Sequence, residues 1–279
     1  MSHPVLTAGR TAIVTGAAMG IGLAACKRFA ALGMNVCMAD IDRNELEMAA
    51  EAVKEVAANG SANILAIPTD VSKLADIEAL RDAAYDTYGE VGVLMNNAVT
   101  RIGRGIWADL DEWRTAMDVN FWGAVYGVRA FVPRMKKQSL ASLVINSGSK
   151  QGMTNPPGHP IYNVTKSALK TFTEALQHDL RNSEGCRVTA HLLVPGWTTT
   201  GKKEHKQGAW LPDQVIDYLL AALERREFYI VCPDGDVTEE MDRQRILWSA
   251  GDITERRPPL SRWHPDFTAE FEKFAKPKS

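Results

Sequence analysis

Seven short apolar runs are spaced along the chain, and they limit its fold more than any other feature. They are "TAIVTG" (11–16), "NVCMAD" (35–40), "ANILAIP" (62–68), "VGVLMNN" (91–97), "SLVINS" (142–147), "RVTAHLLVP" (187–195) and "EFYIVCP" (227–233). Each is continuously apolar rather than alternating, the pattern of a strand buried on both faces. Segments of helical periodicity separate them, such as "GIGLAACKRFAALG", which closes on a C-cap glycine at Gly33. This alternation predicts a doubly wound α/β fold: a mostly parallel seven-stranded sheet with helices on both faces, of Rossmann type. One domain is expected over residues 1–235, with residues 236–279 as a C-terminal tail, helical at both ends and extended between. In that tail Phe267, Phe271 and Phe274 share one helical stripe. Such a stripe packs on its own domain or on a neighbouring subunit.

The charge balance narrows the partners. Thirty-four acids against 32 bases give a net charge of -2, with no long run of one sign. Neither a nucleic acid nor a membrane surface is favoured by that balance. Cys26, Cys37, Cys186 and Cys232 lack CxxC spacing, so buried, reduced thiols are expected. The start "MSHPVLTAGR" does not resemble a signal peptide, and no apolar run approaches a membrane span. These features point to a cytoplasmic protein. None of the six histidines has a spacing that suggests a metal site, and none is expected.

Chemistry enters where the first strand ends. "TGAAMGIG" places Gly16, Gly20 and Gly22 directly before a helix. Glycines there permit a tight turn and a close backbone approach, while the helix start attracts a phosphate. With Met19 and Ile21 they form the expected phosphate-binding turn of a dinucleotide site. The second strand ends in Asp40, followed by Ile41. A carboxylate there accepts hydrogen bonds from adenosine ribose hydroxyls and repels a 2′-phosphate. Met19 offers a phosphate no positive partner, although Arg43 lies nearby. The cofactor expected is NAD rather than NADP.

These motifs, with others in the same order, resemble the short-chain dehydrogenase/reductase family in its common compact branch, over about residues 10–233. Asp70 and Val71 match the family's adenine-contacting pair, and "NNAV" at 96–99, with Asn97 and Ala98, resembles its Asn-Asn-Ala-Gly stretch. Asn120, Ser149, Tyr162 and Lys166 match its catalytic tetrad, with Ser149 favoured over Ser147 by its 13-residue spacing to Tyr162. Pro195, Gly196, Thr198 and Thr200 match its nicotinamide-side loop.

The resemblance implies hydride transfer between a carbinol carbon and a nicotinamide, without a metal. Residues four apart share a helix face, so Lys166 sits one turn from Tyr162. A free phenol, with a pKa near 10, is a poor base at neutral pH, and a neighbouring ammonium favours its ionised form. Tyr162 would then serve as general acid or base. Lys166 would also hold the nicotinamide ribose, Ser149 the substrate oxygen, and Asn120 would join Lys166 to solvent through a water. The expected partner is a small alcohol or ketone, in a homodimer or homotetramer. Other readings are an NADPH-dependent ketone or 3-oxoacyl reductase and a non-catalytic dinucleotide-binding regulator.

Three departures from the family pattern concern the substrate. Val99 replaces the usual glycine. The segment "GKKEHKQGAW" (201–210) is short for a lid, and the tail follows the last strand. Val99, Lys150, Gln151, Met153 and Trp197 are the candidate substrate-lining residues, chosen by their closeness to the motifs. The apolar ones favour an apolar alcohol or ketone. Lys150 and Arg101 would favour an anionic one if they face the cleft.

Overall fold

The computed structural model describes residues 3–60, 63–201 and 204–276. Seven strands form one sheet: β1 (Thr11–Thr15), β2 (Asn35–Asp40), β3 (Ile64–Pro68), β4 (Val93–Asn96), β5 (Ser142–Ser147), β6 (Val188–Val194) and β7 (Tyr229–Val231). Their order is β3-β2-β1-β4-β5-β6-β7, and every adjacent pair is parallel, so the sheet is wholly rather than mostly parallel. Residue 62, placed by the sequence in the third strand, lies outside the described residues.

The crossovers are α1 (Gly20–Ala31), α2 (Arg43–Lys54), α3 (Leu74–Tyr88), α4 (Leu110–Met117) continuing into α5 (Gly123–Met135), the short α6 (Gln151–Thr154) with α7 (Pro160–Asn182), and α8 (Pro212–Glu224). α1, α2 and α8 cover one face around Phe29, Leu46 and Leu219, and α3, α5 and α7 cover the other around Leu80, Phe131 and Leu180. Helices on both faces explain why the strands carry no polar alternation. Cys26, Cys37 and Cys232 are buried free thiols.

Local chemistry sets the helix ends. α1 closes as expected: Gly33 takes φ +78°, its N–H donates to Ala30 O at 2.9 Å, and the Met34 N–H donates to Phe29 O at 3.1 Å. That pair of bonds is a Schellman closure, which favours glycine at the left-handed position. The Asp42 carboxylate caps α2, accepting from the Asn44 and Glu45 N–H groups at 3.1 Å each. α1, in contrast, begins at Met19 without a side-chain cap, which leaves its first N–H groups for a ligand.

The tail packs on its own chain. It comprises α9 (Glu239–Thr254), two 3-10 turns at Ser261–Trp263 and Pro265–Phe267, and α10 (Thr268–Ala275). Trp248 is its anchor, 1% exposed, with Nε1 donating to Ser261 Oγ at 2.8 Å. Arg257 stacks 3.9 Å above its ring, and Phe271 and Phe274 meet it edge-on. The stripe read from sequence divides here, because Phe267 packs on His264 instead. Trp248→Ala is expected to destabilise the protein by about 3 kcal/mol, the usual scale for deleting a buried indole. Chemical unfolding checks it, and a loss under about 1 kcal/mol would mean that the tail does not unfold with the domain.

Candidate functional site

The strand order reverses between β1 and β4, and in a doubly wound sheet the crevice beyond the strand ends opens at such a point. β1 runs into the glycine turn, where Gly16 adopts φ +65° and Gly20 φ +58°. A Cβ on Gly16 would lie 2.8 Å from Ala98 Cα, and one on Gly20 would press within 3.2 Å of Thr200 Cγ2. Across the gap, Asn97 binds β4 to this turn. Its Nδ2 donates to Thr15 O at 3.1 Å and Gly16 O at 3.3 Å, and its N–H donates to Thr15 Oγ1 at 3.0 Å.

A cleft of about 510 Å³ opens there. Of the expected cofactor residues, its lining holds Gly16, Met19, Gly20, Ile21, Asp40, Ile41, Asn97, Pro195, Gly196, Thr198 and Thr200, together with Tyr162, Lys166, Ser149 and Val99. The Asp40 carboxylate accepts from the Ala18 N–H at 3.0 Å and the Asp42 N–H at 3.2 Å, so it is fixed beside the glycine turn. The uncapped α1 start, the glycine cradle and this carboxylate fit a dinucleotide.

Several expected residues stand outside that lining. Gly22 lies inside α1, where a Cβ would collide with the Gly16 carbonyl. Asp70 accepts from Ser72 N–H at 3.0 Å and pairs with Lys73 at 3.2 Å, at the start of α3. Val71 is buried against Gly123. Ala98 packs behind the glycine turn. Among the substrate candidates, only Val99 reaches the cleft lining. Lys150 turns away to Asp234 at 3.0 Å and Asp242 at 2.5 Å, pinning the tail, because two buried carboxylates attract it more than the open cleft does. Met153 borders a separate small cavity beside Lys150, Gln151 begins α6, and Trp197 is half exposed with its N–H donating to Asp234.

The chemical end of the cleft is built by three elements. Pro160 starts α7, the position where a missing N–H costs nothing, and the helix then places Tyr162 and Lys166 one turn apart. Both are nearly sealed, at 7% and 2% exposure. Lys166 Nζ donates to Ser147 O at 2.7 Å and lies 5.7 Å from the Tyr162 ring centroid. Ser149, just after β5, accepts from the Gln151 N–H at 3.2 Å. Burial pushes the Tyr162 phenol up, but Lys166, Arg101 and a hydrogen bond from Ser149 outweigh it and hold the phenol below the ordinary tyrosine value. Burial also draws the Lys166 ammonium down, with Tyr162 opposing.

Asn120 is set by a feature that helical periodicity hides. Asp118–Trp122 is one π-helical turn between α4 and α5, and Asn120 is its buried residue. Such turns insert a residue and redirect a side chain. Asn120 Nδ2 donates to Thr100 O at 3.0 Å and Thr165 Oγ1 at 3.2 Å, while its Oδ1 accepts from the Thr100 N–H at 2.7 Å. Behind it a cavity of about 10 Å³, bordered by Asn96, Asn120 and Lys166, is at the lower bound for one water. Arg101, Asp42, Ser147, Gly148 and Gly201 complete the cleft lining. A larger apolar groove of about 1020 Å³ follows the outer face of α7 and contains none of the tetrad.

A parallel doubly wound sheet with a glycine-floored cleft at its switch point defines a dinucleotide-binding protein. The chain belongs to the short-chain dehydrogenase/reductase family: the short chain dehydrogenase pattern matches residues 10–209. It is 36% identical over 252 residues to a 1-deoxy-11-beta-hydroxypentalenate dehydrogenase of Streptomyces avermitilis, covering 85% of this chain and 90% of that one. A short-chain dehydrogenase/reductase of Burkholderia phymatum, solved in complex with NAD, superposes with a TM-score of 0.81 at 29% identity, over 90% of this chain and 96% of that one. A metagenomic short-chain oxidoreductase in complex with NADP shares the fold, with a TM-score of 0.68 at 24% identity, over 81% of this chain and 98% of that one. The protein is therefore an oxidoreductase acting on CH–OH donors. Among the described residues, no helix is long and apolar enough to cross a membrane.

Proposed function

We propose that this protein interconverts a secondary alcohol and a ketone with NAD, using Tyr162 as the general acid and base. The observation that carries this reading is the Tyr162 hydroxyl itself. It is buried in the cleft, beside Lys166, Arg101 and the Ser149 hydroxyl, and the glycine turn that fits a dinucleotide lines the same cleft. When bound, the nicotinamide supplies the hydride acceptor or donor.

The chain's own groups handle the proton and the oxygen. In oxidation the Tyr162 phenolate takes the hydroxyl proton of the alcohol, and in reduction the phenol returns it. Ser149 donates a hydrogen bond to the same oxygen as charge develops there. Lys166 stabilises the phenolate and, with Asn120 and the small cavity behind it, would link the proton to solvent. Alcohol oxidation should rise with pH through the lowered Tyr162 value, and ketone reduction should fall through it. Val99, half exposed at the cleft, favours an apolar group on the substrate. The name of the Streptomyces relative supports a hydroxyl-bearing substrate. A homo-oligomer belongs to the same reading.

Asp40 supports NAD over NADP, since a 2′-phosphate would face its carboxylate. Arg43 begins α2 and is absent from the cleft lining. Titration with NADH against NADPH, followed by cofactor-coupled absorbance on cyclic, aromatic and anionic alcohols and ketones, tests the whole reading. Tight NADH binding with turnover is expected, and a preference for NADPH would overturn the NAD assignment. Asp40→Ala should weaken NADH binding about tenfold or more, the scale of a lost charged hydrogen bond, and relax discrimination against NADPH. An unchanged ratio of the two affinities would mean that another residue reads the ribose.

A further inference from the structure

Arg101 sits on the loop after β4, two residues beyond Val99, and lines the cleft. Its Nη2 lies 3.5 Å from Tyr162 Oη, and its Cζ lies 4.7 Å from the centroid of the Tyr162 ring. The loop is held at the neighbouring residue: Asn120 binds both the N–H and the C=O of Thr100, at 2.7 and 3.0 Å. The π-helical turn that sets Asn120 thereby fixes where Arg101 leaves the backbone. Among the described residues, Arg101 forms no ion pair with a carboxylate.

We propose that Arg101 is a second cation acting on the Tyr162 hydroxyl, held there by the Asn120 clamp and sharing with Lys166 the stabilisation of the phenolate. The inference rests on the reading of Tyr162 as acid and base, and it makes Arg101 a positioning residue for the proton transfer. Two features separate the cations. Lys166 already donates to Ser147 O, and burial weakens its hold on its own proton. The Arg101 guanidinium, by contrast, is directed at the Tyr162 hydroxyl itself, with Nη2 3.5 Å from it.

The other groups around the hydroxyl do not cancel it. Lys166 faces Tyr162 from the same helix, and Ser149 offers a neutral hydroxyl from the loop after β5. Lys150, the next residue, is occupied by Asp234 and Asp242. Asp40 and Asp42 line the cleft from the end of β2, where Asp40 is tied to the glycine turn and Asp42 to the start of α2. A positive charge within about 4–6 Å of an ionising group moves its pKa down by about one to three units. The field of Arg101 thus adds to that of Lys166 and allows the phenolate to form nearer neutral pH.

Ultraviolet tyrosinate absorbance of the full chain, without cofactor, reads this directly. The chain has six tyrosines, and subtracting the titration of Tyr162→Phe from that of the wild type isolates the step of Tyr162 from those of the other five. Arg101→Met is expected to move that step up by about one unit, and Arg101→Lys by less, because it keeps a charge without the planar fork. The pH limb of alcohol oxidation should move in the same direction. A Tyr162 step that stays in place in Arg101→Met would overturn the proposal. Since the absorbance needs no substrate, failure here is separate from failure of the acid–base role, which appears as undiminished turnover in Tyr162→Phe.

Discussion

Tyr162→Phe is expected to lose about a hundredfold to ten-thousandfold in turnover, the usual contribution of a positioned acid or base, while binding NADH as the wild type does. The substitution removes one oxygen from a side chain whose ring is already sealed between Arg101 and the body of α7. Phenylalanine fills the same space, so neither packing nor the cleft should change. What disappears is the hydroxyl beside Arg101, on the ring that Lys166 also faces. The loss should fall on kcat as well as kcat/KM, because proton transfer belongs to the reacting step rather than to binding. Stopped-flow NADH titration beside steady-state kinetics separates the two effects. Turnover close to wild type would remove Tyr162 from the proton path.

Gly22→Ala is expected to cost at least about tenfold in NADH affinity and to lower the thermal midpoint. Propensity alone points the other way, since alanine within a helix gains about 1 kcal/mol over glycine. Here sterics decide. The added Cβ would meet the Gly16 carbonyl oxygen, with Gly16 C at 2.8 Å and Asn97 Nδ2 at 2.7 Å. Two of those atoms are backbone of the glycine turn, and the third is the side chain that joins the turn to β4. Relief requires α1 to move away from the turn or the turn to open, and either misplaces the phosphate cradle. Overpacking of this sort costs about 1–3 kcal/mol, enough to outweigh the propensity gain. Unchanged affinity and midpoint would show that the turn relaxes without consequence.

The sheet could be read from the chain because strands buried on both faces are written as unbroken apolar runs, and all seven runs became strands. The glycine turn and the Tyr162–Lys166 pair were legible for a related reason. Both are local, set by spacing along one turn or one helix. The π-helical turn at Asn120 was not, since one inserted residue leaves an apolar helical pattern almost unchanged. Lys150 shows a second limit. Sequence places it beside Ser149, but its direction is decided by Asp234, shortly after β7, and Asp242, on α9, which only the fold brings near. Arg101 is the third case: its loop has no periodicity, and its contact with Tyr162 depends on how Asn120 holds Thr100. Residues that act through a neighbour on another element leave no spacing to read.

Deuterium transfer tests the central claim most directly. NADH carrying deuterium at both nicotinamide C4 positions would be incubated with a ketone that the enzyme turns over, and the product examined by mass spectrometry and NMR. One deuterium on the carbinol carbon is expected, with its formation suppressed in Tyr162→Phe. A reduced product bearing no label would contradict direct hydride transfer between cofactor and carbonyl in this cleft.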